Sequence, residues 1–289
     1  MLKKILLSLG FLIFTFSLSF ASDPITMDSL FKKQIGLRSI TSVSFLSSGN
    51  AYIYNLYPTL VAQPDTKTWT DTKQLSINQT FIYTLAPKFD LLVSGNGSYK
   101  QNEYFNYLGF EYTTERSFDF DSLWIGGIYT ADTLFEMFVP QITLQGGVIQ
   151  REEHFDETKN FSLKSFSAQL ALKNYSDPVV SSLYIGGVYN GKRNFDYGKL
   201  EYGNTLFFGF DMSVILSPKV SLDAGLEQRF QSGSKFEGRK TSNSYSIPTF
   251  SLGATYSLNS DTAVSVSGTA GGSSSAPDSV FTLSLWKRF

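Results

Sequence analysis

Strict alternation of apolar and polar residues is the feature that most constrains what this chain can fold into. Between residues 250 and 258 the even positions are apolar or aromatic, whereas the odd positions are serine, glycine or threonine. A similar pattern covers residues 206–216 and 220–230. Successive side chains of a β-strand point to opposite faces, so these stretches are predicted as strands with one apolar and one polar face.

Weaker alternation elsewhere brings the prediction to about twelve strands, within a range of about 10 to 14. The further candidates are residues 51–61, 75–85, 89–99, 123–129, 138–148, 166–172, 183–189, 264–270 and 281–285. Short turn-forming segments at residues 86–88, 130–132, 176–178, 217–219 and 259–261 alternate with longer polar stretches such as residues 102–116, 152–160 and 231–244. Short turns on one side and long loops on the other are typical of an outer-membrane β-barrel.

The N-terminus predicts export. Lys3 and Lys4 precede an apolar run that ends in small residues, as in a secretory signal peptide, and the run is short for an uncleaved membrane anchor. Leu30, Phe31 and Ile35 then follow a roughly helical spacing, which is compatible with a periplasmic arm, a plug helix or a tether, and equally with a disordered or loosely attached terminus. The predicted division is a signal peptide at 1–21, an arm at 22–39 and a barrel at 40–289.

Composition excludes several classes of protein. The chain has no cysteine, which rules out a disulfide-stabilised secreted domain and any thiolate site. Aromatic residues make up 16% of the chain and charged residues only 17%, which suits a barrel with a lipid-facing wall and aromatic girdles. The formal net charge is −1 without a run of like charge, so no nucleic-acid partner is expected.

Four charged residues fall on the polar face of two adjacent predicted strands: Asp211, Asp223, Glu227 and Arg229. An arginine that faced lipid at the membrane midplane would cost about 2–4 kcal/mol, so these side chains are predicted to line a lumen. They either set the field that selects a permeant solute or pair with one another across neighbouring strands. The sequence leaves both interpretations open.

An enzymatic or metal site has little support. His154 is the one histidine, in a stretch with Glu152, Glu153 and Asp156, and a solvated loop is favoured over a general base or a cation site. Three glycine pairs lack the lysine of a phosphate-binding loop, and glycine in a barrel strand instead permits curvature or close side-chain passage. These pairs are Gly126-Gly127, Gly146-Gly147 and Gly186-Gly187. No catalytic, cofactor or metal residue is predicted.

The last segment carries a candidate assembly signal. Phe281, Leu283 and Leu285 alternate with polar residues, and the chain stops at the aromatic Phe289, which resembles the signal that the barrel assembly machinery reads. Lys287 departs from that pattern, but a lysine can keep its stem in the apolar layer and its ammonium in water.

The ending GTAGGSSSAPDSVFTLSLWKRF, residues 268–289, also resembles the tail of the transporter-like barrels named after the meta-pathway of phenol degradation. In that family a glycine-rich strand, a Pro-Asp loop and a last strand ending in Arg-Phe follow one another, and residues 216–258 fit the same layout. The resemblance covers about the last quarter of the chain and transfers no catalytic residue. It implies a channel-like protein for small molecules, hydrophobic ones among them.

Together these features predict one antiparallel transmembrane β-barrel in the bacterial outer membrane, acting as a channel for passive or facilitated diffusion of a small solute. A barrel of about twelve strands is narrower than the porins of about 16–18 strands, which favours a selective lumen. The expected partners are outer-membrane lipid, the barrel assembly machinery and the solute, with no cofactor. The alternatives are a non-transporting structural or adhesive barrel that acts through its extracellular loops and a secreted β-sandwich.

Overall fold

The structure, a computed structural model, describes residues 35–48, 69–106, 111–135, 137–154, 157–272 and 279–289. These residues form seventeen β-strands: β1 (Gly36–Ser48), β2 (Trp69–Ala86), β3 (Phe89–Asn106), β4 (Glu111–Thr130), β5 (Phe138–His154), β6 (Glu157–Phe161), β7 (Ser165–Ser176), β8 (Val179–Asn190), β9 (Arg193–Phe195), β10 (Gly198–Glu201), β11 (Thr205–Ser217), β12 (Val220–Gln231), β13 (Lys235–Phe236), β14 (Arg239–Lys240), β15 (Tyr245–Asn259), β16 (Thr262–Gly271) and β17 (Ser279–Arg288). No helix in the described part of the chain is both long and apolar enough to cross a membrane.

Twelve of these strands close into one antiparallel barrel, which confirms the predicted fold class. Their order around the barrel is β4-β3-β2-β1-β17-β16-β15-β12-β11-β8-β7-β5, and β5 pairs with β4 to close the ring. The first and last strands meet, with Arg38 opposite Arg288 and Ser47 opposite Ser279. A closed barrel has no free edge, so the backbone groups of its strands are paired between neighbours.

Burial identifies the inner and outer faces of the barrel. Along β12, Leu222, Leu226 and Phe230 are 47%, 56% and 43% exposed, whereas Ser221 and Arg229 are buried. Large exposed apolar side chains recur in this way on every barrel strand. A continuous apolar surface of this extent is typical of membrane contact. The apolar face therefore lies outside, and the polar face lines the lumen.

The two ends of the barrel differ as predicted. Short turns join β2 to β3, β7 to β8, β11 to β12 and β15 to β16, and they mark the periplasmic end. At the extracellular end the connections carry strands of their own: β6 pairs with β5, and β9, β10, β13 and β14 form a separate four-stranded sheet. Residues 102–116 were expected to be a loop, but β3 and β4 extend through much of that segment because their pairing continues to Asn106 and Glu111.

The barrel begins earlier in the chain than predicted. β1 starts at Gly36, inside the segment expected to be an arm. Its alternation is poor because Ser39 and Thr41 lie on the outer face while Leu46 lies buried on the inner face. The candidate strand at residues 51–61 and the remainder of the predicted arm, residues 22–34, lie outside the described residues.

Candidate functional site

The four predicted charged residues lie on the inner face of β11 and β12. The register pairs Asp211 with Gly225, Ser213 with Asp223, and Gly209 with Glu227. Asp223, Glu227 and Arg229 share the face of β12 opposite the exposed Leu226. The alternation therefore places all four in the lumen, where they and their neighbours on β8 form the candidate site.

The Asp223 carboxylate is held by two hydroxyl groups from the neighbouring strands. Ser213 on β11 donates to Oδ1 over 2.5 Å, and Thr255 on β15 donates to Oδ2 over 2.8 Å. Both oxygens of the carboxylate are thus fixed, and both partners are uncharged. Neither hydrogen bond to Asp223 comes from a cation.

Glu227 is the centre of a second group. The Arg229 guanidinium donates to Oε1 over 2.8 Å, and the Tyr184 hydroxyl donates to Oε2 over 3.2 Å. Arg229 also lies 5.8 Å from the ring centroid of Phe207. Of the four predicted charged residues, Glu227 and Arg229 thus pair with each other. They lie two residues apart on one strand.

Two glycines make room for the aromatic rings of this site. A Cβ atom on Gly209 would lie 2.4 Å from Tyr184 Cζ, and one on Gly186 would lie 2.5 Å from Phe207 Cζ. Each ring therefore passes close to the backbone of the neighbouring strand, and at Gly186 this is the close side-chain passage predicted for the glycine pairs. Tyr184 and Phe207 were not predicted as site residues, because the sequence shows the glycines but not which ring lies opposite them.

Asp211 differs from its neighbours. Its side chain is exposed although it faces the lumen, and among the described residues it accepts no hydrogen bond. It experiences the charges of Glu227, Asp223 and Lys173, the last on the inner face of β7. Its Oδ1 lies 2.6 Å from where a Cβ on Gly225 would stand, so the absence of a side chain there leaves space for the carboxylate.

The opposite wall of the lumen is packed more tightly. Arg38 forms an ion pair with the fully buried Asp90 over 3.1 Å, and Lys100 with Asp121 over 3.5 Å. The Trp124 ring on the inner face of β4 is also fully buried. These buried side chains contrast with Asp211 on β11, which is exposed.

A buried ion pair fixes the extracellular rim. Arg193 is fully buried, and its Nε and Nη2 lie 3.0–3.2 Å from the Glu152 carboxylate. Glu152 is thus bound to Arg193. The side chains of His154 and Asp156, with which Glu152 was considered as a cation site and rejected, lie outside the described residues. No group of three or more His, Cys, Asp or Glu side chains within the described ranges is placed to hold a metal ion.

The residues of the candidate assembly signal lie on the last strand. Phe281, Leu283 and Leu285 are exposed on the outer face of β17, and Phe289 follows the strand with its backbone N–H donating to the Leu37 carbonyl. The Lys287 ammonium lies 4.7 Å from the centroid of the Phe289 ring. The role of these residues in assembly stays a prediction.

A closed antiparallel barrel with an apolar outer face and a polar lumen defines the class: this is a transmembrane β-barrel of the bacterial outer-membrane type. No family model matches the chain, and no curated protein matches its sequence.

Solved structures do match it. An outer-membrane channel from Pseudomonas putida F1 superimposes with a TM-score of 0.63 and 10% sequence identity, over 94% of this chain and 100% of that one. The NanC porin superimposes with a TM-score of 0.52 and 5% identity, over 86% of this chain and 100% of that one. At these identities the likeness establishes the fold alone.

Proposed function

We propose that this protein is an outer-membrane channel through which small solutes cross by passive or facilitated diffusion. The observation that carries the proposal is Asp211, a carboxylate that faces the lumen from β11 and is nevertheless exposed. An interior filled by packed side chains would bury such a group. We infer that water occupies the lumen beside β11.

The lining of the lumen favours polar solutes. Hydroxyl, amide and charged side chains occupy the inward positions of the strands, among them Asn78, Asn96 and Ser284. The two similar barrels are described as a channel and as a porin, which is in keeping with transport. The hydrophobic solute implied by the family resemblance stays a prediction.

Conductance in planar lipid bilayers tests the proposal. The purified, folded protein is expected to give discrete current steps that a heat-denatured sample does not give. Ser251→Trp places a large ring in the lumen next to Gly225, whereas Leu252→Trp places the same ring on the lipid face. The first substitution should lower the conductance and the second should leave it unchanged. A folded protein without current steps would contradict the proposal.

A second candidate function is a surface-exposed structural or adhesive barrel. The extracellular sheet has its own apolar cluster of Phe161, Phe195, Leu200 and Tyr202, with Phe236 packed against it. Loops with fixed structure are suited to binding a partner. Replacing residues 193–201 by a short glycine-serine linker should abolish cell attachment if adhesion is the function. Attachment that survives this replacement would argue against adhesion.

A further inference from the structure

The lumen wall carries carboxylates with and without an ion-pair partner among the described residues. Among the described lumen residues, Arg38 faces Asp90, Lys100 faces Asp121, and Arg229 faces Glu227. Each of these three cations forms an ion pair with a carboxylate. Two further carboxylates, Asp211 and Asp223, lie on the same stretch of β11 and β12, and they differ in what surrounds them.

Within the part of the chain that the structure describes, Asp223 has no cation at hydrogen-bonding distance. Its two oxygens accept hydrogen bonds from the hydroxyl groups of Ser213 and Thr255, which hold the charge without cancelling it. Lys173 is the cation that acts electrostatically on Asp211, from β7 on the far side of β8. Lys173 thus acts on Asp211 from two strands away and forms no ion pair with it among the described residues.

Geometry distinguishes Asp211 from the rest of this group. Both carboxylate oxygens of Glu227 accept hydrogen bonds, one from Arg229 and one from Tyr184. Asp211 has no hydrogen-bond donor among the described residues, and its side chain is exposed. A solute that passes along β11 meets this carboxylate in water, with its oxygens available.

We propose that Asp211 makes the lumen selective for cations, so that the favoured solutes are small and positively charged. This inference rests on the proposed channel function. A fixed negative charge attracts cations and repels anions along a narrow path with low-dielectric walls, and water and salt screen it only over about one Debye length. Asp211 is thus the residue that determines the selectivity for cations. Asp223 and Glu227 add to the electrostatic potential of the lumen.

The reversal potential in a KCl gradient across a planar bilayer measures this selectivity. The wild-type channel should prefer K⁺ to Cl⁻. Asp211→Asn keeps the shape of the side chain and removes no hydrogen bond, and it should lower the permeability ratio of K⁺ to Cl⁻ roughly fivefold at about 0.1 M salt. Asp211→Lys should reverse the preference. Asp132→Asn removes the same charge from an exposed residue of the periplasmic turn and should have little effect.

The outcomes separate this inference from the proposed function. A channel that conducts without preferring cations, or whose preference is unchanged by both Asp211 substitutions, overturns the role of Asp211 and leaves the channel function standing. A folded wild-type protein that passes no current overturns the channel function, and the selectivity falls with it. An equal loss of selectivity in Asp132→Asn would show that surface charge, not Asp211, sets the preference.

Discussion

Removal of the Arg193 side chain is predicted to destabilise the extracellular rim strongly. The guanidinium is fully buried between β5, β7 and the loop that follows β8. It donates to the Glu152 carboxylate, to Ser165 Oγ over 2.7 Å and to the Gly191 carbonyl over 2.5 Å, and it lies 4.9 Å from the centroid of the Tyr202 ring. Arg193→Ala removes all of these contacts at once.

The size of this loss of stability follows mainly from the Glu152 carboxylate, which loses its partner. Glu152 is only 6% exposed, so without Arg193 its charge remains buried and uncompensated. Breaking a buried ion pair by removing one partner costs about 3–5 kcal/mol. Lys192, the preceding residue, is the matched control. It pairs with Glu201 over 2.8 Å, but its side chain is 67% exposed. An exposed pair of this kind is screened by water and salt and contributes little to stability.

Urea unfolding of the reconstituted protein, followed by tryptophan fluorescence and extrapolated linearly, measures both free energies. Arg193→Ala should lower the free energy of unfolding by about 3–5 kcal/mol, and Lys192→Ala should change it far less. The double substitution Glu152→Leu with Arg193→Met should recover most of the loss, because no buried charge remains. Equal effects at positions 192 and 193 would refute this reasoning.

Two further predictions concern a glycine and a periplasmic carboxylate. Gly209→Ala should displace Tyr184 and cost about 1–3 kcal/mol in the same unfolding assay, whereas Gly268→Ala should be neutral because a Cβ there meets no atom within 4 Å. A hydrogen bond from Arg288 lowers the pKa of Asp261 below its ordinary value of 3.8, so this contribution to stability is present above about pH 4 and is lost as the pH falls through the lowered pKa. The difference in unfolding free energy between wild type and Asp261→Asn should therefore shrink on acidification, and a constant difference would contradict the assignment.

A strand could be predicted from the sequence where its apolar and polar residues alternate regularly, and could not where they do not. β11, β12 and β15 could be predicted because lipid on one side and water on the other impose alternation. β1 could not, because Thr41 and Ser39 face outward and are satisfied by Gln79 of β2, which accepts from Thr41 over 2.6 Å and donates to Ser39 over 2.8 Å. A polar residue on the lipid face is tolerable when a neighbouring strand completes its hydrogen bonds, and the strand register decides that.

The same limit applies to the candidate site. The inward position of Asp223 and Glu227 follows from alternation along one strand, so it could be predicted. The contact of Glu227 with Tyr184 joins residues 43 positions apart, and the pair of Arg193 with Glu152 spans 41. Contacts at that separation depend on which strands are neighbours and in which register, which a single sequence does not specify.

Thiol labelling at two adjacent positions tests the central claim, a water-accessible lumen inside a lipid-facing barrel. The chain has no cysteine, so Asp211→Cys and Phe210→Cys each introduce one thiol, the first on the inner and the second on the outer face of β11. In reconstituted membranes a charged, membrane-impermeant thiol reagent should modify the cysteine at position 211 and spare the one at position 210. No reaction at position 211, or an equal reaction at both, would contradict the account.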